Sequence, residues 1–191
     1  ERNVTHYYQT VEHNMLEEMT AELEASSQYA ERREAIRLYN AHSPILKKGL
    51  ALTPVKFGIS FTASFLNQAG ALIHIYTDGS IHLNHGGTEM GQGLNTKVAQ
   101  VVAEVFQVEI DRVQITATNT DKVPNTSPTA ASSGADLNGK AAQNAAETIK
   151  QRLVEFAARK YDVSEADVEF RNGHVRVREQ ILSFEALIQQ A

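Results

Sequence analysis

The sequence predicts an α+β fold in which helices pack on a mixed β-sheet. Near the amino terminus, apolar residues recur four positions apart, which is the spacing of one helix face. Further along, apolar and polar residues alternate, which is typical of strands. Two dipeptides between β-rich runs favour tight hairpin turns: Asp78-Gly79 and Asn172-Gly173. We therefore expect a helical segment over residues 1–47 and an α/β segment over residues 48–191.

The amino-terminal segment is predicted to contain two amphipathic helices. The apolar face of the first helix is formed by four residues spaced at intervals of four: Val11, Met15, Met19 and Leu23. A second helix is expected from about Gln28 to Tyr39, with a charged face toward solvent. We interpret both as amphipathic helices that cover another part of the protein. We interpret their charged residues as a solvated helix face, because such charge patterns mark a solvated face more often than an acidic binding tail.

The rest of the chain is predicted to alternate strands with loops and helices. Strands are expected over residues 49–66 and in the first hairpin, and a glycine-rich loop then leads into a helix over residues 95–106. A short strand over 113–118 and a long polar loop precede a helix over 140–159. The second hairpin and a closing helix capped by Ser183 complete the prediction.

The composition excludes several classes of protein. The 191 residues include 18 basic and 23 acidic side chains, so the formal net charge of −5 offers no basic surface for nucleic acid or anionic lipid. The chain has no cysteine, which excludes disulfides, thiolate zinc sites and iron–sulfur clusters held by this chain. No run approaches the roughly 20 apolar residues that cross a bilayer. The first residues lack Met and a secretory signal, which predicts a segment of a longer polypeptide.

Two loops rich in small and hydroxyl residues each follow a strand and open a helix. They comprise residues 86–93 and residues 129–134. Such loops leave backbone N–H groups available to an anion, so both are candidate sites for a phosphate-bearing ligand. Neither loop carries net positive charge, so dipoles and N–H donors would hold the phosphate. The pattern alone is equally compatible with ordinary helix-opening turns.

Standard nucleotide and metal motifs are absent from the sequence. A P-loop requires Lys and a hydroxyl residue after its last glycine, but Gly91 is followed by Gln92. A dinucleotide-binding loop would need glycine where Thr96 stands. In a regular strand His82 and His85 project to opposite faces, so the histidines around the first hairpin are not expected to share a metal ion.

Three separated strings resemble the molybdenum-cofactor subunit of xanthine dehydrogenases, within the molybdenum hydroxylase family. They are PVKFGISFT at 54–62, GGTEMGQGLNTK at 86–97 and VPNTSPTAASSGADLNG at 123–139. Three strings in the right order are more specific than any one glycine-rich loop. The strings FGISFT and TEMGQG are more similar to xanthine dehydrogenases than to aldehyde oxidases. The resemblance implies that the chain is part of the molybdopterin-binding region of a larger subunit.

The resemblance also implies roles for individual residues. Those expected to contact molybdopterin are Met90, Gly91, Gln92, Thr129, Ala130, Ala131 and Ser132. Phe61 and Thr62 match positions that meet the purine substrate in the family. No protein ligand to molybdenum is implied, because the dithiolene of the cofactor holds the metal. Gly134 stands where the family often has Ser, so the resemblance does not imply the phosphate contact of that serine for this chain.

As an activity, the resemblance implies a cytoplasmic oxidoreductase that hydroxylates hypoxanthine and xanthine at a molybdenum centre. FAD and iron–sulfur clusters would lie on other segments or chains, together with the remainder of the molybdenum subunit. The family's catalytic Glu belongs to a motif beyond this chain, so no catalytic residue is assigned, Glu89 included. The isolated segment is therefore expected to be inactive.

Two alternative functions remain open at the level of the sequence. One is a noncatalytic module that uses the same fold to bind a phosphate-bearing ligand or another protein. The other is a segment of an aldehyde oxidase-like molybdenum hydroxylase. Both would retain the two loops, so the loops by themselves do not separate these alternatives.

Overall fold

The chain divides into two compact units, Glu1–Phe57 and Gly58–Ala191. The computed structural model describes residues 3–5, 8–55, 61, 63–119, 122 and 126–191. No helix within these residues is both long enough and apolar enough to cross a membrane. The division after residue 47 that the sequence suggests stays a prediction.

The first unit contains two helices, α1 (Leu16–Ser26) and α2 (Tyr29–His42). Helix α1 starts later than the sequence indicates, so the expectation that Val11 and Met15 belong to its apolar face is wrong. Neither helix contains a buried residue. Within the described part of this unit, the apolar side of α1 is therefore not buried. The regular spacing of its apolar residues did not by itself determine whether that side would be buried.

The first sheet of the second unit contains the strands β1 (Ala71–Ile75), β2 (Ile81–His85) and β3 (Val113–Ile115) in that spatial order. Strands β1 and β2 are antiparallel, with Ile73 opposite Leu83, and this confirms the first hairpin. Strand β3 runs parallel to β2. The sheet is therefore mixed, as expected for a chain in which a helix connects β2 to β3.

Two helices pack on this sheet and on each other: α3 (Leu94–Phe106) and α4 (Gly134–Tyr161). Helix α4 begins six residues before the predicted start at Lys140, so the loop before it is shorter than expected. Small residues of α4 that face the core, among them Ala142 and Ala146, are fully buried. Their size allows the two helices to approach closely.

A second, antiparallel sheet and a short helix complete this unit: β4 (Val168–Arg171), β5 (His174–Val177), β6 (Gln180–Ser183) and α5 (Phe184–Ile188). Asn172 and Gly173 have φ angles of 48° and 75°, as a type I′ hairpin turn requires. Ser183 caps α5 by accepting a hydrogen bond from the N–H of Ala186 at 3.1 Å, which confirms the predicted cap. Strand β6 was not predicted.

The strands expected over residues 49–66 are missing from the described residues of that range. Residues 49–55 form no strand, and Ser64–Leu66 form one turn of 3₁₀ helix. Pro54 has no N–H to donate to a neighbouring strand, and Val55 and Phe65 are exposed. Apolar residues at alternating positions form a strand only when a partner strand and a buried face are available.

Candidate functional site

The two candidate loops meet at one cavity of about 400 Å³. We call residues 86–93, between β2 and α3, the first loop, and residues 129–133, before α4, the second loop. The backbone N–H of Thr88 in the first loop donates a hydrogen bond to Oγ1 of Thr129 in the second, at 2.8 Å. Both helix-opening loops therefore lie on the same side of the fold.

The cavity is lined by both loops and by the first turns of α3 and α4: Met90, Gln92, Leu94, Lys97, Thr129, Ala130, Ala131, Ser132, Gly134 and Ala135. This set contains six of the seven residues that the family resemblance associates with the cofactor, all except Gly91. Phe61 does not line this cavity, and Thr62 lies outside the described residues. The structure thus brings the predicted cofactor residues together and leaves Phe61 apart from them.

The side chain of Glu89, in the first loop, accepts hydrogen bonds from the backbone of the same loop and of α3. The two carboxylate oxygens of Glu89 accept hydrogen bonds from the backbone N–H groups of Gly91, Gly93 and Asn95, at 2.9 to 3.0 Å. These donors include the groups at the start of α3 that the sequence suggested would be free for an anion. That expectation is wrong for these three N–H groups, because Glu89 already supplies the negative charge that a helix start favours.

The amide of Gln92 also bonds within the first loop. Its Oε1 accepts a hydrogen bond from the backbone N–H of Met90 at 2.6 Å, and its Nε2 donates to the carbonyl oxygen of Thr88 at 2.9 Å. The side chain therefore holds the loop in shape while it lines the cavity. One hydrogen of Nε2 is left for a ligand, because an amide carries two donors.

The charge of Glu89 should stabilise the fold in a pH-dependent manner. The backbone N–H of Asn95, followed by those of Gly91 and Gly93, lowers the pKa of the Glu89 carboxyl in the folded chain. Its contribution to stability is then complete above the unfolded pKa of roughly 4.3 and is lost as the pH falls through the lower folded value. Glu89→Gln should lower the urea midpoint at pH 7, and the difference should shrink in acid.

The control for this prediction is Glu109→Gln, which removes an exposed carboxylate three residues after the end of α3. Its urea midpoint should follow that of the wild type at every pH. A difference for Glu89→Gln that stays the same at pH 7 and below pH 4 would contradict the assigned role of the charge.

The second loop, in contrast, leaves a helix start open. The N–H groups of Gly134, Ala135 and Asp136 in the first turn of α4 have no acceptor within the described part of the chain. The preceding residues Ala131 and Ser132 have φ angles of 54° and 56°, a conformation that costs non-glycine residues about 1–3 kcal/mol each. Strain of this kind concentrates at functional sites. The start of α4 therefore keeps three N–H groups without acceptors, whereas Glu89 accepts from donors at the start of α3.

Lys97 supplies a positive charge at the cavity. It is the single charged residue among those that line the cavity, and it makes no ion pair within the described residues. We did not predict its participation, because it lies outside both loops. Its position one helical turn after Gly93 is the signal that could have revealed it, since residues four apart share one helix face.

The sequence profile of the molybdopterin cofactor-binding domain family matches residues 22–191. The chain is 48% identical over 159 residues to xanthine dehydrogenase 2 of Arabidopsis thaliana and 51% identical over 156 residues to xanthine dehydrogenase/oxidase of Mus musculus. These alignments cover 83% and 82% of the chain. The chain spans 12% of the length of each of these two relatives.

Solved structures with the same fold include a reconstituted CO dehydrogenase from Oligotropha carboxidovorans, with a TM-score of 0.59 and 29% identity over 64% of this chain and 16% of that one. Quinoline 2-oxidoreductase from Pseudomonas putida 86 matches 97% of this chain and 25% of that one, with a TM-score of 0.70. Its 18% identity supports the fold alone. From its profile match, the chain belongs to the molybdopterin cofactor-binding domain family.

Proposed function

We propose that the cavity between the two loops binds molybdopterin and that the chain supplies this part of a xanthine dehydrogenase-like molybdenum hydroxylase. The observation that carries the proposal is the junction of the two loops at a cavity that contains Lys97 and the start of α4. When bound, molybdopterin would supply the redox-active metal centre at which a heterocycle is oxidised. This chain would bind and orient the cofactor.

The donor set fits the phosphate of such a cofactor. Lys97 offers a positive charge, Ser132 a hydroxyl group, and the first turn of α4 a set of N–H groups without acceptors. Charge-assisted hydrogen bonds of this kind contribute about 1.5–3 kcal/mol each. Because Glu89 already occupies the start of α3, the phosphate would be held by α4 and Lys97.

The remaining walls of the cavity suit a flat, polar ring. Ala130, Ala131 and Gly134 have small side chains or none, so a ring can approach the backbone closely. Met90 and Leu94 supply apolar contact, and the amide of Gln92 supplies a donor. Pterins present flat faces with polar edges, which such a mixture of apolar walls and few donors can bind.

For the parent enzyme, the family membership and the xanthine dehydrogenase relatives support hydroxylation of hypoxanthine and xanthine. Phe61 and Thr62 would contact the purine, FAD and iron–sulfur clusters would lie on other segments or chains, and the base would come from a Glu outside this chain. The enzyme would be cytoplasmic. The complete polypeptide should therefore oxidise xanthine, and the 191-residue chain alone should not. Turnover by the isolated chain would contradict the assignment of the base to a segment outside this chain.

The binding proposal is tested with Lys97 variants of the complete polypeptide that contains this chain. Loss of one charge-assisted bond, about 1.5–3 kcal/mol, corresponds to binding weaker by about ten- to a hundredfold. Lys97→Met should therefore reduce the molybdopterin recovered per purified polypeptide, measured as the fluorescent oxidation product of the pterin. Lys97→Arg should retain more cofactor than Lys97→Met, because it keeps the charge.

Lys140→Met is the control, since Lys140 is an exposed lysine of α4 that does not line the cavity. Its cofactor content should equal that of the wild type. A wild-type polypeptide that carries no pterin would refute the proposal. Retention of inorganic phosphate in its place, dependent on Lys97, would favour the noncatalytic phosphate-binding module.

A further inference from the structure

A buried histidine lies directly beneath the first loop. His85, the last residue of β2, is 1% exposed, and its Nδ1 accepts a hydrogen bond from the backbone N–H of Gly87 at 3.1 Å. An acceptor Nδ1 requires that the ring proton be on Nε2. The hydroxyl of Thr118 lies 3.1 Å from the carbonyl oxygens of both His85 and Gly87 and can donate to either. The turn from strand to loop is thus held by two side chains.

A buried asparagine contacts the same glycine from α4. Asn138 is 3% exposed, and its Nδ2 donates to the carbonyl oxygen of Gly134 at 2.9 Å. A Cβ atom added at Gly87 would lie 2.8 Å from this Nδ2 and 2.5 Å from Cδ2 of Leu94. A side chain at position 87 would therefore collide with Leu94, the first residue of α3, and with Asn138 of α4.

Each of these two side chains has one polar atom without a partner. Within the described residues, Nε2 of His85 and Oδ1 of Asn138 are buried and make no hydrogen bond. Buried polar groups without partners are costly, so an apolar pair would pack here at lower cost. The polar pair is therefore better explained by what it does to Gly87 than by its contribution to the core.

We propose that His85 and Asn138 are positioning residues that hold Gly87 between them and thereby set the spacing of the first loop and α4 for the cofactor. This inference rests on the proposed function of the cavity. Neither residue lines the cavity, so they act through the loop and the helix that do. We call His85, Thr118 and Asn138 together the Gly87 clamp.

The protonation state of His85 is consistent with this role. Burial has the largest effect on the ring and lowers its pKa. The neutral ring keeps the lone pair on Nδ1 that accepts from Gly87. A protonated ring would place a donor against the N–H of Gly87 and would break this contact.

Two substitutions of His85 separate its hydrogen bond from its volume. Asn places an amide oxygen near the position of Nδ1, so His85→Asn can still accept from Gly87, whereas His85→Leu cannot. In the complete polypeptide, we expect His85→Leu to reduce the molybdopterin bound per polypeptide by about tenfold, the lower end of the effect seen for groups that orient a binding site. His85→Asn should retain clearly more cofactor, and His74→Leu, at an exposed histidine of β1, should match the wild type.

Thr118→Val provides a second test, because Thr118 is an exposed residue of nearly the same volume as valine, so the fold should stay intact when its hydroxyl is removed. It too should reduce the bound pterin, and the thermal midpoint measured in parallel should change little. Unchanged cofactor content in both His85→Leu and Thr118→Val would overturn the clamp. Equal loss in His85→Asn and His85→Leu would also overturn it, because the role would then depend on the ring and not on its acceptor.

Nitrogen-15 spectra of the imidazole groups give a readout that does not depend on the cofactor. We expect His85 in the 191-residue chain to be neutral at pH 7 with its proton on Nε2. A proton on Nδ1 would contradict the hydrogen bond to Gly87. A wild-type polypeptide without pterin refutes the proposed function, whereas a wild type with pterin and unchanged cofactor content in both His85→Leu and Thr118→Val refutes only the clamp.

Discussion

Phe184→Ala should destabilise the second unit by about 3–5 kcal/mol, the usual cost of deleting a buried aromatic ring. Phe184 is 1% exposed and begins α5. Its ring centre lies 5.8 Å from that of Phe106 on α3 and 6.4 Å from that of Phe170 on β4. The ring therefore joins three elements, and its removal leaves a cavity that none of them can fill without moving.

Chemical denaturation monitored by circular dichroism would measure this loss. Phe65→Ala is the matched control, because Phe65 is 86% exposed and surface changes are usually within about 0.5 kcal/mol of neutral. A loss below about 1 kcal/mol for Phe184→Ala would show that the three-phenylalanine cluster does not hold the second sheet against α3.

Gly87→Ala should produce the second large effect, on stability and cofactor binding together. The new Cβ would lie 2.5 Å from Cδ2 of Leu94 and 2.8 Å from Nδ2 of Asn138. Overpacking of this kind costs about 1–3 kcal/mol. Relief would require the buried side chains of Leu94 and Asn138 to shift or the first loop to move away from α4, and either change would alter the shape of the cavity. We expect a lower unfolding midpoint and a polypeptide that retains little molybdopterin.

The matched control is Gly139→Ala, at a buried glycine within α4. A Cβ there would meet Cγ2 of Val101 at 3.8 Å, an ordinary van der Waals contact. Alanine in a helix interior is favoured over glycine by about 0.5–1 kcal/mol, so this variant should be more stable than the wild type. Two identical substitutions should thus shift the unfolding midpoint in opposite directions. A Gly87→Ala variant as stable as the wild type would show that the first loop adjusts freely.

The two loops serve different electrostatic purposes although their sequences are similar in kind. Glu89 neutralises the start of α3 and gives the first loop a fixed shape. The start of α4 remains open and has Lys97 at the same cavity. We expect an anionic ligand to bind between Lys97 and the start of α4, and this asymmetry would orient it.

Much of the fold was predictable because its signals are local. Asn172-Gly173 formed the expected hairpin, Ser183 capped α5, and α3 began within one residue of its predicted start. Each of these features depends on residues fewer than five positions apart. The strands expected over residues 49–66 are missing from the described residues of that range for the opposite reason, since a strand also requires a partner that the local pattern does not specify.

The sequence by itself determined the fold class, the two loops and the family. Only the tertiary structure decided that the loops share one cavity, because Thr88 and Thr129 are 41 positions apart and meet through the packing of α3 against α4. It also decided which helix start stays open. The carboxylate of Glu89 can reach the N–H groups of α3 only after the loop has folded back on itself, and the spacing of residues along the chain does not reveal that fold-back.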